Sequence, residues 1–230
     1  MNKIFITVVM LAFVSAPSLG FAQGIVKGKV VFEGTPPPIE KVDVKSDTDT
    51  CGTSKEVSKI LVGADQGVAN AVVKIIGAQG TLVPKDGALD QVKCEFLPHV
   101  QVIPVGSKLQ ITSSDAVLHN AHGFSEDGST AFNIAVPIPG MEIPATMKKP
   151  DIIKLRCDAG HTWMSGYIVV TDSPFYAVTD ASGNFSIENV PSGDYQVEIW
   201  QEWAGKQTQP ISVKEGEQAV IYKLEAPKVA

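Results

Sequence analysis

Beyond residue 22 the chain is a succession of short β-branched or alternating apolar runs, each cut off by a turn signal. The runs cover 25–32, 68–76, 99–104, 108–113, 152–157, 167–171, 184–188, 194–200 and 219–224. Between them fall Gly34-Thr-Pro-Pro-Pro38, Lys85-Asp-Gly87, Asp127-Gly128, Ser182-Gly-Asn184 and Pro191-Ser-Gly193, which are turn formers for distinct backbone reasons. No stretch of this part keeps a 3.6-residue apolar period through three turns, so long packed helices are excluded; 54–61 reads as either one helical turn or a strand. Short strands at such spacing predict an all-β chain, a sandwich or barrel, and the length suits one or two of them.

The first residues read as an address. Lys3 gives a positive start, residues 4–14 form an uncharged apolar run of eleven, and small residues flank a predicted cleavage after Ala22. Eleven residues fall short of the ~20 that span a bilayer. The expectation is a signal peptide over 1–22 and an exported, soluble, periplasmic or extracellular protein without a membrane span. With 25 acidic residues against 19 basic ones and no long Lys/Arg run, nucleic acid is not an expected partner.

All four histidines lie between positions 99 and 161. Cys157-Asp-Ala-Gly-His-Thr-Trp-Met164 brings a thiolate, an imidazole and a thioether into eight residues, and Leu118-His-Asn-Ala-His122 offers a second imidazole at a strand end. Two imidazoles, a thiolate and a weak thioether are the donor set of electron-transfer copper. Gly160 is free to turn the chain so that His161 and Met164 face the ion that Cys157 binds. His119 alone reads equally as a strand-end residue satisfied by backbone. His122 reads as a contact beyond the ligands or as an alternative ligand, and His99 as a packed or surface strand histidine. Trp163 reads as an apolar lid.

These residues resemble the cupredoxins, small blue copper proteins with a Greek-key β-sandwich. The resemblance rests on His119-Asn120, on the Cys157–Met164 loop and on the strand, turn and strand of 102–120, and covers about 96–172. It is closest to exported, methylamine-utilisation-like cupredoxins with a Cys-x-Phe-x-Pro-His stretch, here Cys94 to His99. It implies one type 1 copper held by His119, Cys157, His161 and axial Met164, with Asn120 joining the ligand segments by hydrogen bonds. The Cys-x₃-His-x₂-Met spacing departs from better-known members, in which the methionine comes later. With Cys157 given to the metal, Cys51 and Cys94 are left as an even remainder that one disulfide accounts for; pairing of Cys157 with either is the alternative.

A second resemblance frames the first. Residues 177–200, with their Asp-x-x-Gly and Pro-x-Gly turns at Asp180 and Gly193, are similar to the carboxypeptidase regulatory-like domain, a transthyretin-like β-sandwich. Its opening strands are matched by 26–34 and 69–76. The expected organisation is a discontinuous sandwich of 24–80 plus 173–230, with the cupredoxin-like domain of 81–172 inserted. Asp180, Asp194, Glu198 and Glu202 are expected as turn and surface carboxylates, not as a catalytic set.

The function expected is electron transfer without substrate turnover, the electron leaving by an exposed His161 edge beside Trp163 to a cytochrome or another exported carrier. A copper-handling module with the same ligands, and an interaction protein with no working metal site, are the alternatives. An enzyme would need His122 or His99 to join His119 and His161 around an open metal position.

Overall fold

The computed structural model describes residues 22–227, so the predicted signal peptide lies outside the described residues except for Ala22. The chain is all-β, with one four-residue helix, Thr48–Cys51, and a single 3₁₀ turn at 64–66 among the described residues. The strands form two pairs of facing sheets, and each pair encloses its own core.

The first pair is built from the two ends of the chain. Gln23–Glu33 lies between Asn184–Pro191, antiparallel, and Gly216–Glu225, parallel. Opposite is a sheet of order Tyr176–Val178, Val72–Ile76, Gly193–Gln201, Gly205–Val213. Alternation decides what goes inside: Val73 and Ile75, and Val197 and Ile199, point into a core shared with Val26, Val30, Ile187 and Leu224. Each such side chain, once wholly buried, stabilises by about 1.5–3 kcal/mol.

The second pair is built from the middle of the chain. Thr130–Val136, His119–Phe124, Asp151–Arg156, Ser165–Thr171 and Val100–Pro104 form five strands in that order, facing Ile143–Thr146, Lys108–Ile111, Gly87–Gln91 and Phe96–Leu97. Leu89, Ile103, Leu109, Ile111, Leu155 and Ile168 fill this core. The chain leaves the first sandwich at Ile76 and re-enters it at Tyr176, on the antiparallel neighbour of the strand it left. About a hundred residues are thus accommodated between adjacent strands without displacing either.

The two sandwiches meet face to face. Tyr167 and Val169 point away from the central core, toward Val72 and Trp200 of the terminal sandwich. Tyr167 and Trp200 stand edge to face with ring centroids 5.2 Å apart. This double burial explains why 167–171 reads as an unbroken apolar run and not as an alternating one.

Local readings are refined as follows. Of the two readings of 54–61, helical turn or strand, residues 54–57 take the strand, paired antiparallel with Glu40–Asp43. This hairpin comes from the N-terminal segment, yet Val44 and Cys51 pack into the central core. In the turns, Asp180 Oδ1 accepts the N–H groups of Ser182 (2.8 Å) and Asn184 (2.9 Å) while Gly183 takes φ +81°; Gly193 is not left-handed, and the positive φ of Asn189 (57°) falls where the pairing with Gln23–Glu33 shifts register.

Candidate metal centre

His119 begins a central strand of the five-stranded sheet with its side chain inward, and Ala121 follows it inward two residues on. Asp151–Arg156, two places away from Thr130–Val136 in the same sheet, ends just before Cys157 and delivers that thiol to the same end of the core. Gly160, at φ +97°, reverses the chain, and Met164 N–H donates to His161 C=O (2.9 Å) to close the loop. A side chain at position 160 would be strained in this left-handed conformation.

Three donor atoms converge there. His119 Nδ1 and His161 Nδ1 are 3.0 Å apart, and Cys157 Sγ lies 3.8 Å from the first and 3.6 Å from the second. Both imidazoles have no solvent exposure, and Cys157, the free cysteine, is buried. Met164 is buried in the same cluster as Cys157.

The other nitrogen of each ring is taken. His119 Nε2–H donates to Asp115 Oδ2 (2.9 Å), and His161 Nε2–H donates to Asp47 Oδ2 (3.0 Å). An ionised carboxylate only accepts, so it keeps the proton on Nε2 and leaves the Nδ1 lone pair bare. Burial, opposed by Asp115 and assisted by the neighbouring His161, lowers the His119 pKa below its ordinary value, which favours the neutral ring. With both Nε2 atoms bonded to carboxylates, the two Nδ1 atoms, 3.0 Å apart beside the Cys157 sulfur, are the ring atoms left to bind a cation. The separations suit one: a metal about 2.0 Å from nitrogen and about 2.3 Å from sulfur is spanned by these distances. The residues fit a soft or borderline ion with imidazole and thiolate ligands.

Asp115 does more than hold His119. It is buried, and it accepts the N–H groups of Lys93 and Cys94, each at 2.7 Å. Cys94 is joined to Cys51, and its C=O accepts the Trp163 indole N–H at 3.0 Å. The disulfide therefore ties the 40–57 hairpin to the strand turn beside one ligand, and Trp163 to the other side. His161 and Trp163 ring centroids are 5.4 Å apart.

The remaining expected residues are placed as follows. Asn120 Oδ1 accepts Asp158 N–H (2.6 Å) and its amide donates to Asn133 (2.8 Å), so it links the His119 strand to the Cys157 loop. His122 lies on the opposite face of its strand from His119, bonded to Asp158 (2.7 Å) and Thr130 (2.9 Å), away from the three donors. His99 is at the junction of the sandwiches, 2.7 Å from Glu202. Glu202 is accordingly not a free surface carboxylate, and Glu198 faces Lys74 at 3.3 Å. The exposed His161 edge is a further correction: the ring is wholly buried, because the hairpin brings Asp47 over the nitrogen that an open site would present to solvent. Asp47 and Asp115 escaped sequence reasoning, since each is a lone acid in a turn-like segment with nothing local to mark it.

A groove of about 600 Å³ runs between the hairpin and the ligand loop, lined by Val42, Val57, Arg156, Cys157, Trp163 and Met164 among others. No helix among the described residues is long and apolar enough to cross a membrane.

Comparison with known proteins adds the following. The family model described as polysaccharide lyase family 4, domain II, matches residues 159–221, and no comparison matches the carboxypeptidase regulatory-like domain expected there. No curated protein matches the chain. Among solved structures, a purple cupredoxin from Nitrosopumilus maritimus is 22% identical over 37% of this chain and all of its own, with a TM-score of 0.33. A copper-containing nitrite reductase from Thermus scotoductus SA-01 is 25% identical over 42% of this chain and 24% of its own, TM-score 0.33. The copper(I) form of an amicyanin mutant is 16% identical over 43% of this chain and 98% of its own, TM-score 0.33.

Proposed function

We propose that the protein is an exported one-copper electron carrier of the type 1 class, with His119, Cys157 and His161 as ligands, Met164 as the weak axial donor and no substrate turnover. The observation that carries this reading is the convergence of two Nδ1 atoms and one Sγ at 3.0–3.8 Å inside an apolar core. Copper bound there supplies one reversible electron. The surrounding residues keep the donors in place through that change: carboxylates grip both Nε2 atoms, Asn120 clamps the two ligand segments together, and the core side chains pack around Cys157. Rigid donors reduce the reorganisation that accompanies a change of charge. The insertion of 81–172 into a terminal sandwich of 24–80 plus 173–230 belongs to the same proposal, with the terminal sandwich as a structural or docking module. A cytochrome or another exported carrier is the partner class.

Loading the purified protein with Cu(II) and recording visible absorption and electron spin resonance spectra tests the reading, with Cys157→Ala as control. An intense thiolate-to-copper band with narrow hyperfine splitting, absent from Cys157→Ala, is expected. Weak colour with ordinary splitting would reject it. A copper-handling role is the second reading, favoured by the groove that reaches Cys157 and Met164 from the surface. Rapid loss of copper to a competing chelator would select it.

A further inference from the structure

The copper reading takes its donors from two histidines, a cysteine and a weak sulfur; Asp47, which is 114 residues from His161 in sequence, is not a donor and enters it only as the group that holds the far nitrogen of that ring. Asp47 is nevertheless held in position from several directions. It takes a left-handed conformation, φ 54°, which aspartate tolerates better than most residues, and its C=O accepts the N–H groups of Thr50 and Cys51 at 3.0 and 2.8 Å. Cys51 is bonded to Cys94, and both sulfurs lie within 4.8 Å of a His161 ring nitrogen. The Cys94 N–H in turn binds Asp115, the partner of the other histidine. One continuous assembly, from Asp47 through the disulfide to Asp115, thus holds the far side of both imidazoles.

The two carboxylates are not equivalent. Asp115 is buried and shares its charge with two backbone N–H groups as well as His119. Asp47 has His161 as its one side-chain hydrogen-bond partner among the described residues, and its carboxylate is 39% exposed. Its negative charge therefore bears on the imidazole without internal compensation, while its partial exposure lets it be replaced without stranding a buried group.

Resting on the copper reading, we propose that Asp47 is a positioning residue of the metal site: it fixes the His161 ring through Nε2, seals it from solvent and biases the site toward the more highly charged state of the ion. A carboxylate on the distal nitrogen makes the ligating nitrogen more basic, and its attraction to a divalent cation exceeds that to a monovalent one. Exchanging such a partner typically changes metal affinity by about 10–100-fold.

The test compares wild type, Asp47→Asn, Asp47→Ala and, as a control on the same short helix, Asp49→Asn at an exposed acid. In Asp47→Asn the amide oxygen still accepts the Nε2–H, so the thiolate-to-copper band and hyperfine splitting should persist while preference for Cu(II) over Cu(I) drops about tenfold, a rise of 59 mV in a one-electron potential. In Asp47→Ala the acceptor is gone: the spectrum should change as well, and the slowly exchanging Nε2–H resonance of His161 in the copper(I) protein should disappear. Asp49→Asn should match wild type. If both Asp47 variants keep the wild-type potential and the protected Nε2–H, Asp47 has no such role, although the copper site stands. If wild type itself gives no thiolate-to-copper band, the copper reading fails and this inference falls with it.

Discussion

The terminal and central sandwiches are made of similar strands and pack against each other, yet they enclose different things. The terminal core is built of Val, Ile, Leu, Ala, Phe and Tyr side chains, with the Tyr222 hydroxyl left without a partner and burial pushing its pKa up to about 12. The central core takes in His119, His161, Asp115 and Cys157 at one end, and each of the three titratable rings and acids there has a directed partner. Burying polar groups costs several kcal/mol unless they are paired, so a fold carries them where they do chemistry. Among the described residues, the contrast places the buried titratable groups around the candidate metal centre in the central sandwich. The two sandwiches are coupled through His99 and Glu202, and through Tyr167 and Trp200.

The sharpest way to break that division is the disulfide. Converting Cys51 and Cys94 to Ser opens a loop of 43 residues and should cost about 4 kcal/mol on the chain-entropy argument. Because the bridge holds the hairpin over His161, the same variant should also release copper faster to a chelator; equal stability and equal release would show the hairpin to be independent of the site. Next in size, Ile199→Ala in the terminal core should cost about 3 kcal/mol in urea unfolding and leave the copper spectrum unchanged. A changed spectrum would mean that the two cores are one unit.

Asp115→Ala should cost about 2 kcal/mol, since it strands the buried Cys94 N–H, removes the acceptor of the Lys93 N–H and frees His119, whereas Asp194→Ala, on an exposed position of the terminal sandwich, should stay within about 0.5 kcal/mol. Paired denaturation curves check this directly, and similar losses in both would erase the contrast. The smallest effect concerns pH. Burial alone would lower the His99 pKa, but the hydrogen bond and charge of Glu202 together outweigh it, and the folded value lies above 6.5. The pair's contribution, about 0.2–1 kcal/mol, is thus complete below pH 6.5 and is lost as pH rises through the folded value. Urea midpoints should fall between pH 6 and pH 9 in wild type, and Glu202→Gln should remove that part of the slope.

Strands that bury apolar residues were legible in the sequence: 68–76 and 194–200 because those residues repeat at the period of the pleat, and 167–171 because burial on both faces makes it an unbroken apolar run. The strands that escaped notice are those with little to bury. Gly205–Val213 is an edge strand that sends only Ile211 and Val213 into the core and carries Pro210, which an edge tolerates because one row of its N–H groups is unpaired. Thr130–Val136 is likewise an edge, mostly exposed, and reads as loop. Glu40–Asp43, and Ser54–Val57 within the stretch that reads equally as helical turn or strand, offer only Val42 and Val57 as apolar residues, and the segment between the two strands is held by the Cys51–Cys94 disulfide.

At the site the division follows the same physics. Residue type alone carries donor chemistry, so Cys157, His161 and Met164 in one short loop, and His119 at a strand end, declare a soft-metal donor set before any fold is known. The all-β character is equally local, since it is written in the two-residue period of the side chains. What occupies the far nitrogen of each imidazole is not local. It depends on where the 40–57 hairpin and the turn at Asp115 come to rest, and that is decided by the core residues that pack around Val44, by the Cys51–Cys94 bridge and by the backbone N–H groups of Lys93 and Cys94. Only the packed tertiary structure brings Asp47 to a histidine 114 residues away, buries the ring that an open site would expose, and thereby sets how the site meets its surroundings.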